Sequence, residues 1–403
     1  MQPDEMPSKY EYADLRYVVG SPETVRGMEA LRPLQPFSDA VLDFLNDLSK
    51  RLLCDGRAYS DVATFGFWCR RASLQKEKEK YDDLALRFGR GVAFHNAPSN
   101  VPVNFAFSFA AGLLAGNANV VRLPAKDFAQ VTIICDAIRE LLETAHKPLA
   151  PYVAMVKYPT NREITNAFSI LCDTRVIWGG DGTVRELRCS PLKPRANEIT
   201  FADRHSIAVI DADEYLKAAD KEKIARDFYN DTYFSDQEAC TAPRVVCWLG
   251  SGIDEAKQAF WSRLHALVRE KYALAPVRAV GKLAAFYRVA CQKDVALVAG
   301  EDGIITRIRV ETLEDDLLKY KCGGGFFFEY NAGSLRDIAP VCGERCQTLT
   351  YFGLDERQIR AFLSDCAPRG VDRAVPMGKS MEFALIWDGH DLIREMSRRV
   401  SVG

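Results

Sequence analysis

Apolar residues recur every three to four positions through 37–53 (FSDAVLDFLNDLSKRLL), which predicts an amphipathic helix, with Ser38-Asp39 placed to cap its amino end. A second helix is expected over 59–80, ending in the solvated run KEKEK. Beyond it the pattern changes. Short apolar runs at 91–94, 119–123, 153–156, 175–178 and 206–210 read as strands. They alternate with helical stretches at 101–115, 127–144 and 161–171, and with a helix opened by Gly179-Gly180-Asp181-Gly182. A long helix follows Asp213 to about Tyr229. The alternation then resumes, with strands at 244–249, 304–310, 326–330 and 348–352 and helices at 253–272, 334–341 and 356–364. Strands that alternate with helices predict mainly parallel, doubly wound sheets, whose ligands bind at the carboxyl ends of the strands. The expected organisation is a helical segment, 1–90, packed on an α/β domain, 91–212, then a second α/β domain, 213–375, and a C-terminal segment, 376–403.

Charge and cysteine content narrow the classes. Lys plus Arg is 53 and Asp plus Glu is 55, a formal net charge of −2, which excludes binding of nucleic acid by a global basic field. The twelve cysteines include no CxxC pair and no histidine at zinc-finger spacing, so no metal site is expected. In a chain this long they read as reduced thiols, mostly buried, of a cytoplasmic protein. The opening MQPDEMPSKYEYADL is polar and acidic, unlike a secretory signal. The longest apolar stretch, 101–115, is interrupted by Asn104, Ser108 and Gly112, so no membrane span is expected. His95 and His390 lie near turns, where either a substrate contact or a structural role is open.

Three constellations could carry chemistry. The first is AFHNAPSNVPVNF followed by AGNANVVRLPAKD, where a strand ends in a polar turn bearing Asn96, Ser99 and Asn100. An asparagine there can donate its amide to a developing oxyanion, although ordinary turn chemistry accounts for the same residues. The second is VIWGGDGTV, residues 176–184, where small residues at a helix start let an anion approach backbone N–H groups. Its glycines fall as GGxG, neither the GxGxxG fingerprint nor a Walker loop, and a plain strand–helix turn fits equally. The third is FSDQEACTAPRVV, where Cys240 stands just before a turn and a strand, either a poised thiol or an inert buried one.

Taken together, these blocks resemble the aldehyde dehydrogenase superfamily and, within it, the LuxC-type acyl-CoA reductases, the fatty acid reductases of bacterial luminescence. The resemblance rests also on QTLTYFG and on DRAVPMGKSMEFALIWDGHDLIREMSR, and spans about residues 90–400. It implies an aldehyde-dehydrogenase-like fold with a dinucleotide-binding domain and a catalytic domain. By the resemblance, Cys240 is the catalytic thiol and Asn100 the amide that joins the Cys240 backbone N–H in an oxyanion hole. Gly179 and Gly180 pack on the cofactor pyrophosphate, and Arg122, Leu123, Pro124, Ala125 and Lys126 line the adenosine ribose.

The sequence departs from the superfamily pattern in four places. The segment Thr200-Phe201-Ala202 lacks the glutamate that activates hydrolytic water, which suits reduction of a thioester better than oxidation of an aldehyde. Lys126 stands where many NAD-dependent members carry an acid, and a cation there favours NADPH. Leu123 replaces the ribose-binding lysine, and Cys322-Gly323-Gly324-Gly325 replaces a glutamate that holds the nicotinamide ribose. The implied reaction is NADPH-dependent reduction of an acyl-CoA or acyl-protein thioester to the aldehyde through an acyl-cysteine. Alternatives within reach are an acyl-phosphate reductase of the same superfamily and an acyl-carrying subunit of a larger complex. The implied partners are an acyl-protein synthetase and further copies of the chain in a homo-oligomer.

Overall fold

The structure, a computed structural model, describes residues 10–98, 101–299, 302–320 and 322–403. The chain up to Ala202, together with Ala384–Gly403, makes one compact α/β unit, and Asp203–Phe383 makes the other.

The first unit is built on a six-stranded sheet in the order Arg16–Val19, Val153–Lys157, Ala118–Arg122, Val92–Asn96, Thr174–Trp178, Asn197–Phe201. All neighbours run parallel except the edge strand Arg16–Val19. The inner strands are near-continuous apolar runs because helices cover both faces of a parallel sheet. Asn104–Leu114 is apolar on all sides, and most of its residues are buried. Gly112 lets that helix sit close to the sheet: a Cβ there would stand 2.1 Å from Asn119 Oδ1 and 2.8 Å from His95 Nε2. The amphipathic helix Asp39–Asp55 packs beside it, with Phe44 edge-on to Phe109.

The second unit has a seven-stranded sheet in the order Val295–Ala299, Thr306–Val310, Phe326–Asn331, Pro243–Leu249, His205–Asp211, Cys346–Phe352, Arg373–Pro376. Only Val295–Ala299 runs antiparallel to its neighbour. Two apolar cores lie on its faces, one around Trp248, Phe260 and Phe327 and one around Val245, Phe328 and Leu349.

Several boundaries differ from the sequence pattern. The units divide at Ala202 and Asp203 rather than near 212, because His205–Asp211 pairs with Pro243–Leu249 and Cys346–Phe352 and so belongs to the second sheet. The C-terminal segment is split: 376–383 stays with the second unit, while Ser397–Arg399 pairs antiparallel with Arg87–Gly89 of the first. The helix expected over 59–80 is two helices, Ser60–Trp68 and Arg71–Lys78, broken at Arg70 in an extended conformation (φ −58°, ψ 136°). The helix expected after Asp213 is also two, Ala212–Lys217 and Lys221–Asp231, each started by an aspartate side chain (Asp211, Asp220) that accepts a backbone N–H. Helix 101–115 begins at Asn104, so Pro102 lies ahead of it. Strands Arg16–Val19, Asn197–Phe201, Val295–Ala299 and Arg373–Pro376 and helix Pro276–Ala290 carry no periodicity that the pattern reading caught. Among the described residues, no helix is long and apolar enough to cross a membrane.

Candidate active site

In the first unit the chain leaves Val92–Asn96 toward Ala118–Arg122 on one side and later returns to Thr174–Trp178 on the other. Strand order reverses there, which opens a crevice beyond the carboxyl ends of the strands. A cavity of about 680 Å³ lies at this edge, lined by Asn96, Arg122, Arg162, Gly179, Gly180 and Thr183 among others. Strand Thr174–Trp178 runs through Gly179 and Gly180 into helix Asp181–Arg188, whose first-turn N–H groups have no intrahelical acceptor. A Cβ on Gly179 would press on Thr183 at 3.0 Å, so the turn forms a cradle only while that side chain is absent. Such a cradle with helix N–H groups at its rim fits a dinucleotide pyrophosphate.

Of the residues expected beside the ribose, Arg122, Leu123 and Ala125 line the cavity. Pro124 is buried. Lys126 is exposed, with its ammonium 5.2 Å from the centre of the Phe128 ring, and it is not part of the lining. Arg122 donates to Asn96 Oδ1 (3.1 Å) and lies over the Tyr158 ring (4.3 Å). The strand end at Thr200-Phe201-Ala202 carries no carboxylate. The Phe201 ring instead stacks on Trp178 at 3.6 Å between centroids. Asn100, the expected oxyanion donor, lies outside the described residues, as does Ser99.

His95 is structural. It is fully buried, its Nδ1 lies 2.7 Å from Ser108 Oγ and its Nε2 3.0 Å from Asn119 Oδ1, and Trp178 Nε1–H donates to the same Ser108 oxygen (2.9 Å). Burial pulls its pKa down to about 4, so the ring is neutral. His390 pairs with Glu395 (3.0 Å) and meets the edge of Phe201, within the first unit.

In the second unit the thiol loop joins Tyr233–Ser235 to strand Pro243–Leu249. Asp236 and Gln237 both adopt left-handed backbone conformations (φ 53° and 56°), which L-residues resist. The fully buried Gln237 side chain holds that bend. Its amide N–H groups donate to Pro243 O (2.9 Å) and Phe326 O (3.1 Å), and its oxygen accepts from Gly325 N (3.1 Å) and Phe326 N (3.0 Å). Buried Arg244 ties the same loop to the glycine turn, donating to Gln237 O (2.6 Å) and Cys322 O (2.8 Å). Ser206 Oγ–H donates to Cys240 O at 2.8 Å and accepts from Thr348 N. Cys240 itself is half-buried, three residues ahead of strand Pro243–Leu249, with its carbonyl held by Ser206. Burial holds the Arg244 guanidinium below its ordinary range, and the nearby Glu238 carboxylate offsets part of that shift.

A strap, 377–383, crosses near the thiol loop: the Thr241 hydroxyl lies 3.2 Å from Met381 Sδ. Fully buried Asp231 anchors it, accepting from Gly378 N (2.6 Å), Ser380 N (3.0 Å) and Ser380 Oγ (2.9 Å). Burial pushes the Asp231 carboxyl up to about 6. Lys282 is also buried, donates to Gly303 O and Ile304 O, and is pulled down to about 8 by desolvation. Among the described residues, no group of three His, Cys, Asp or Glu side chains could hold a metal ion.

The profile of the acyl-CoA reductase (LuxC) family matches residues 26–399. The chain belongs to this family. Long-chain acyl-protein thioester reductases are similar in sequence: that of Aliivibrio fischeri is 23% identical over 205 residues, 50% of this chain and 41% of that protein. That of Vibrio harveyi is 27% identical over 173 residues, 42% of this chain and 34% of that protein. The chain thus spans less than half the length of these relatives. Among solved structures, a lactaldehyde dehydrogenase superposes with a TM-score of 0.66 at 12% identity, covering 94% of this chain and 90% of its own. Aldehyde dehydrogenase 21 from Physcomitrella patens gives 0.65 at 12% identity, covering 93% and 88%. These likenesses show the aldehyde dehydrogenase fold.

The structure therefore brings Gly179, Gly180, Arg122 and Ala125 to one cavity and leaves Lys126 outside its lining. Sequence reasoning gave no role to Gln237, Arg244, Asp231 or Arg162. The first two stand within the quoted Cys240 block, and a glutamine and an arginine so close to an expected thiol are a signal that could have been read. Asp231 and Arg162 carry no local mark.

Proposed function

We propose that the protein reduces a long-chain acyl thioester, presented on a protein or on coenzyme A, to the aldehyde with NADPH. The observation that carries this reading is the family match across nearly the whole chain, together with a half-buried Cys240 on a braced turn at the start of a strand.

The Cys240 sulfur, as thiolate, forms a bond to the thioester carbonyl carbon, and the carbonyl electron pair moves to oxygen. The oxyanion is held by the Cys240 backbone N–H, such a donor being worth about 2.7–4 kcal/mol in the transition state. The carbonyl reforms as the carrier thiolate leaves. It takes a proton from solvent, and the acyl group stays on Cys240. A reduced nicotinamide bound in the first unit would supply the hydride that reduces this acyl carbon. The resulting oxyanion collapses, the C–S bond breaks, and the Cys240 thiolate and aldehyde are released. Ser206 holds the Cys240 carbonyl, while Gln237 and Arg244 brace the loop that carries it. Phe201 and Trp178 occupy the strand end where a water-activating carboxylate would stand, which keeps hydrolysis of the acyl-enzyme slow. In the first unit, Gly179, Gly180 and the start of helix Asp181–Arg188 would hold the cofactor pyrophosphate, and Arg122 and Ala125, which line the same cavity, would flank its adenosine ribose.

Cys240→Ala tests the assignment. The variant is expected to lose both covalent labelling by radioactive acyl-CoA and acyl-dependent NADPH oxidation, and persisting turnover would overturn it.

A further inference from the structure

We propose that the guanidinium groups of Arg122 and Arg162 form a phosphate subsite in the first unit's cavity, which takes the ribose 2′-phosphate of NADPH. The inference rests on the reading of this cavity as the cofactor site and deepens it.

Both residues line the cavity. They reach it from different elements: Arg122 ends strand Ala118–Arg122, and Arg162 opens helix Arg162–Leu171. Neither pairs with a carboxylate among the described residues. Arg122 is spent on neutral acceptors, Asn96 Oδ1 and, at 3.4 Å, Tyr158 O. Stacking on Tyr158 also restrains it, so its charge is pre-positioned rather than neutralised. The exposed Arg162 makes only a long bond, 3.5 Å, to Cys189 O. Elsewhere in this unit arginines meet carboxylates: Arg51 with Glu140, Arg87 with Asp83, Arg175 with Glu198. One carboxylate, Glu186, shares the lining and is likewise unpaired. The lining side chains thus carry a surplus of positive charge, and two planar forks suit a phosphate monoester dianion.

The pyrophosphate has its own cradle at Gly179-Gly180. A second anion subsite in the same cavity calls for a further phosphate on the ligand, and NADPH differs from NADH by one such group. Lys126, the cation that the sequence suggests for this task, stands outside the lining, over Phe128.

The test is a fluorescence titration of the full chain with NADPH and with NADH, comparing wild type, Arg162→Gln, Arg122→Lys and Lys126→Gln. Arg162→Gln is expected to weaken NADPH by about tenfold, the loss of one charge-assisted contact, with NADH unchanged. Arg122→Lys, which keeps the charge but loses the planar fork, should weaken NADPH by a smaller factor, and Lys126→Gln should change neither. Circular dichroism checks that each variant is folded. If Arg162→Gln weakens both nucleotides equally, or neither, or if Lys126→Gln alone weakens NADPH, the subsite is wrong while the cavity remains a cofactor site. If wild type binds neither nucleotide, the cofactor reading itself fails. Free coenzyme A carries a ribose 3′-phosphate of the same charge and serves as a third probe. A loss of coenzyme A binding without loss of NADPH binding in Arg162→Gln overturns the assignment.

Discussion

Single side chains in this protein hold charge in places where burial makes charge expensive. Asp231 is the clearest case, because its ionised carboxyl is fully buried and serves only to pin the strap at Gly378 and Ser380. Its pKa is raised to about 6 from an ordinary value of 3.8. Between those values the folded protein binds the proton more tightly than the unfolded chain. Asp231 therefore makes stability fall as pH rises through that window, with the full penalty present above about pH 6 and absent below about pH 4. The penalty is on the order of 3 kcal/mol. Asp231→Asn removes the titration, so wild type should lose stability relative to this variant as pH climbs from 4 to 7. Urea melts across that range read the difference directly, and a flat difference would reject the account. At neutral pH the variant also sets an amide N–H against a backbone N–H, so its strap is expected to be looser. Digestion near residue 380 by a protease would report that loosening.

The thiol loop illustrates how an element can be set by one residue that belongs to no regular structure. Its two left-handed residues in succession are unfavourable by about 1–2 kcal/mol each. Four hydrogen bonds from Gln237 offset that cost and join the loop to the start of strand Phe326–Asn331. Gln237→Leu keeps the volume but leaves two carbonyls and two N–H groups buried without partners. It is expected to destabilise the protein by about 3 kcal/mol or more. The midpoint of chemical denaturation measures this, and a change under about 1 kcal/mol would mean that water or a neighbour satisfies those groups. The loop that carries Cys240 loses its brace in this variant, so alkylation of the thiol by iodoacetamide should lose the single-exponential course expected of a fixed loop. Helices behave differently. Their limits follow from local signals such as Asp211, Asp220 and Asp355, whose side chains accept a first-turn backbone N–H, and Asp220 divides a stretch whose apolar pattern reads as one helix.

For the molecule as a whole, the proposed reaction divides its parts between two sheets: the cavity at Gly179-Gly180 belongs to the first unit and Cys240 to the second. Ligand binding stabilises the segments that it touches. NADPH should therefore slow hydrogen exchange at 96–98, 122–125, 160–165 and 178–190 while leaving the strands of the second unit unchanged. Mass spectrometry of the exchanged chain checks this, and protection confined to the second unit would place the cofactor elsewhere.

Much of this organisation is legible without coordinates, since alternation of apolar runs with 3.6-residue periodicity depends only on neighbours along the chain. The strand–helix turn at Gly179-Gly180 is equally local, although its glycines alone fit a plain turn as well as an anion cradle. The order and identity of the motif blocks were enough to reach the family. Other features depend on residues far apart in sequence that meet only when strands take their places. Lys126 and Arg162 flank different strands, and the sequence marks only Lys126 as a cofactor cation. Strand order and crossover direction turn one toward Phe128 and bring the other to the cavity beside Arg122. The same holds for residues 384–403, which join the first unit where Ser397–Arg399 pairs with Arg87–Gly89 and where Asn117 and Asn197 donate to Met396 O and Glu395 O. Local pattern determined which elements form and which turns can cradle an anion. Tertiary pairing alone decided which charges face the cavity, since that is settled by contacts whose two halves the linear order keeps apart.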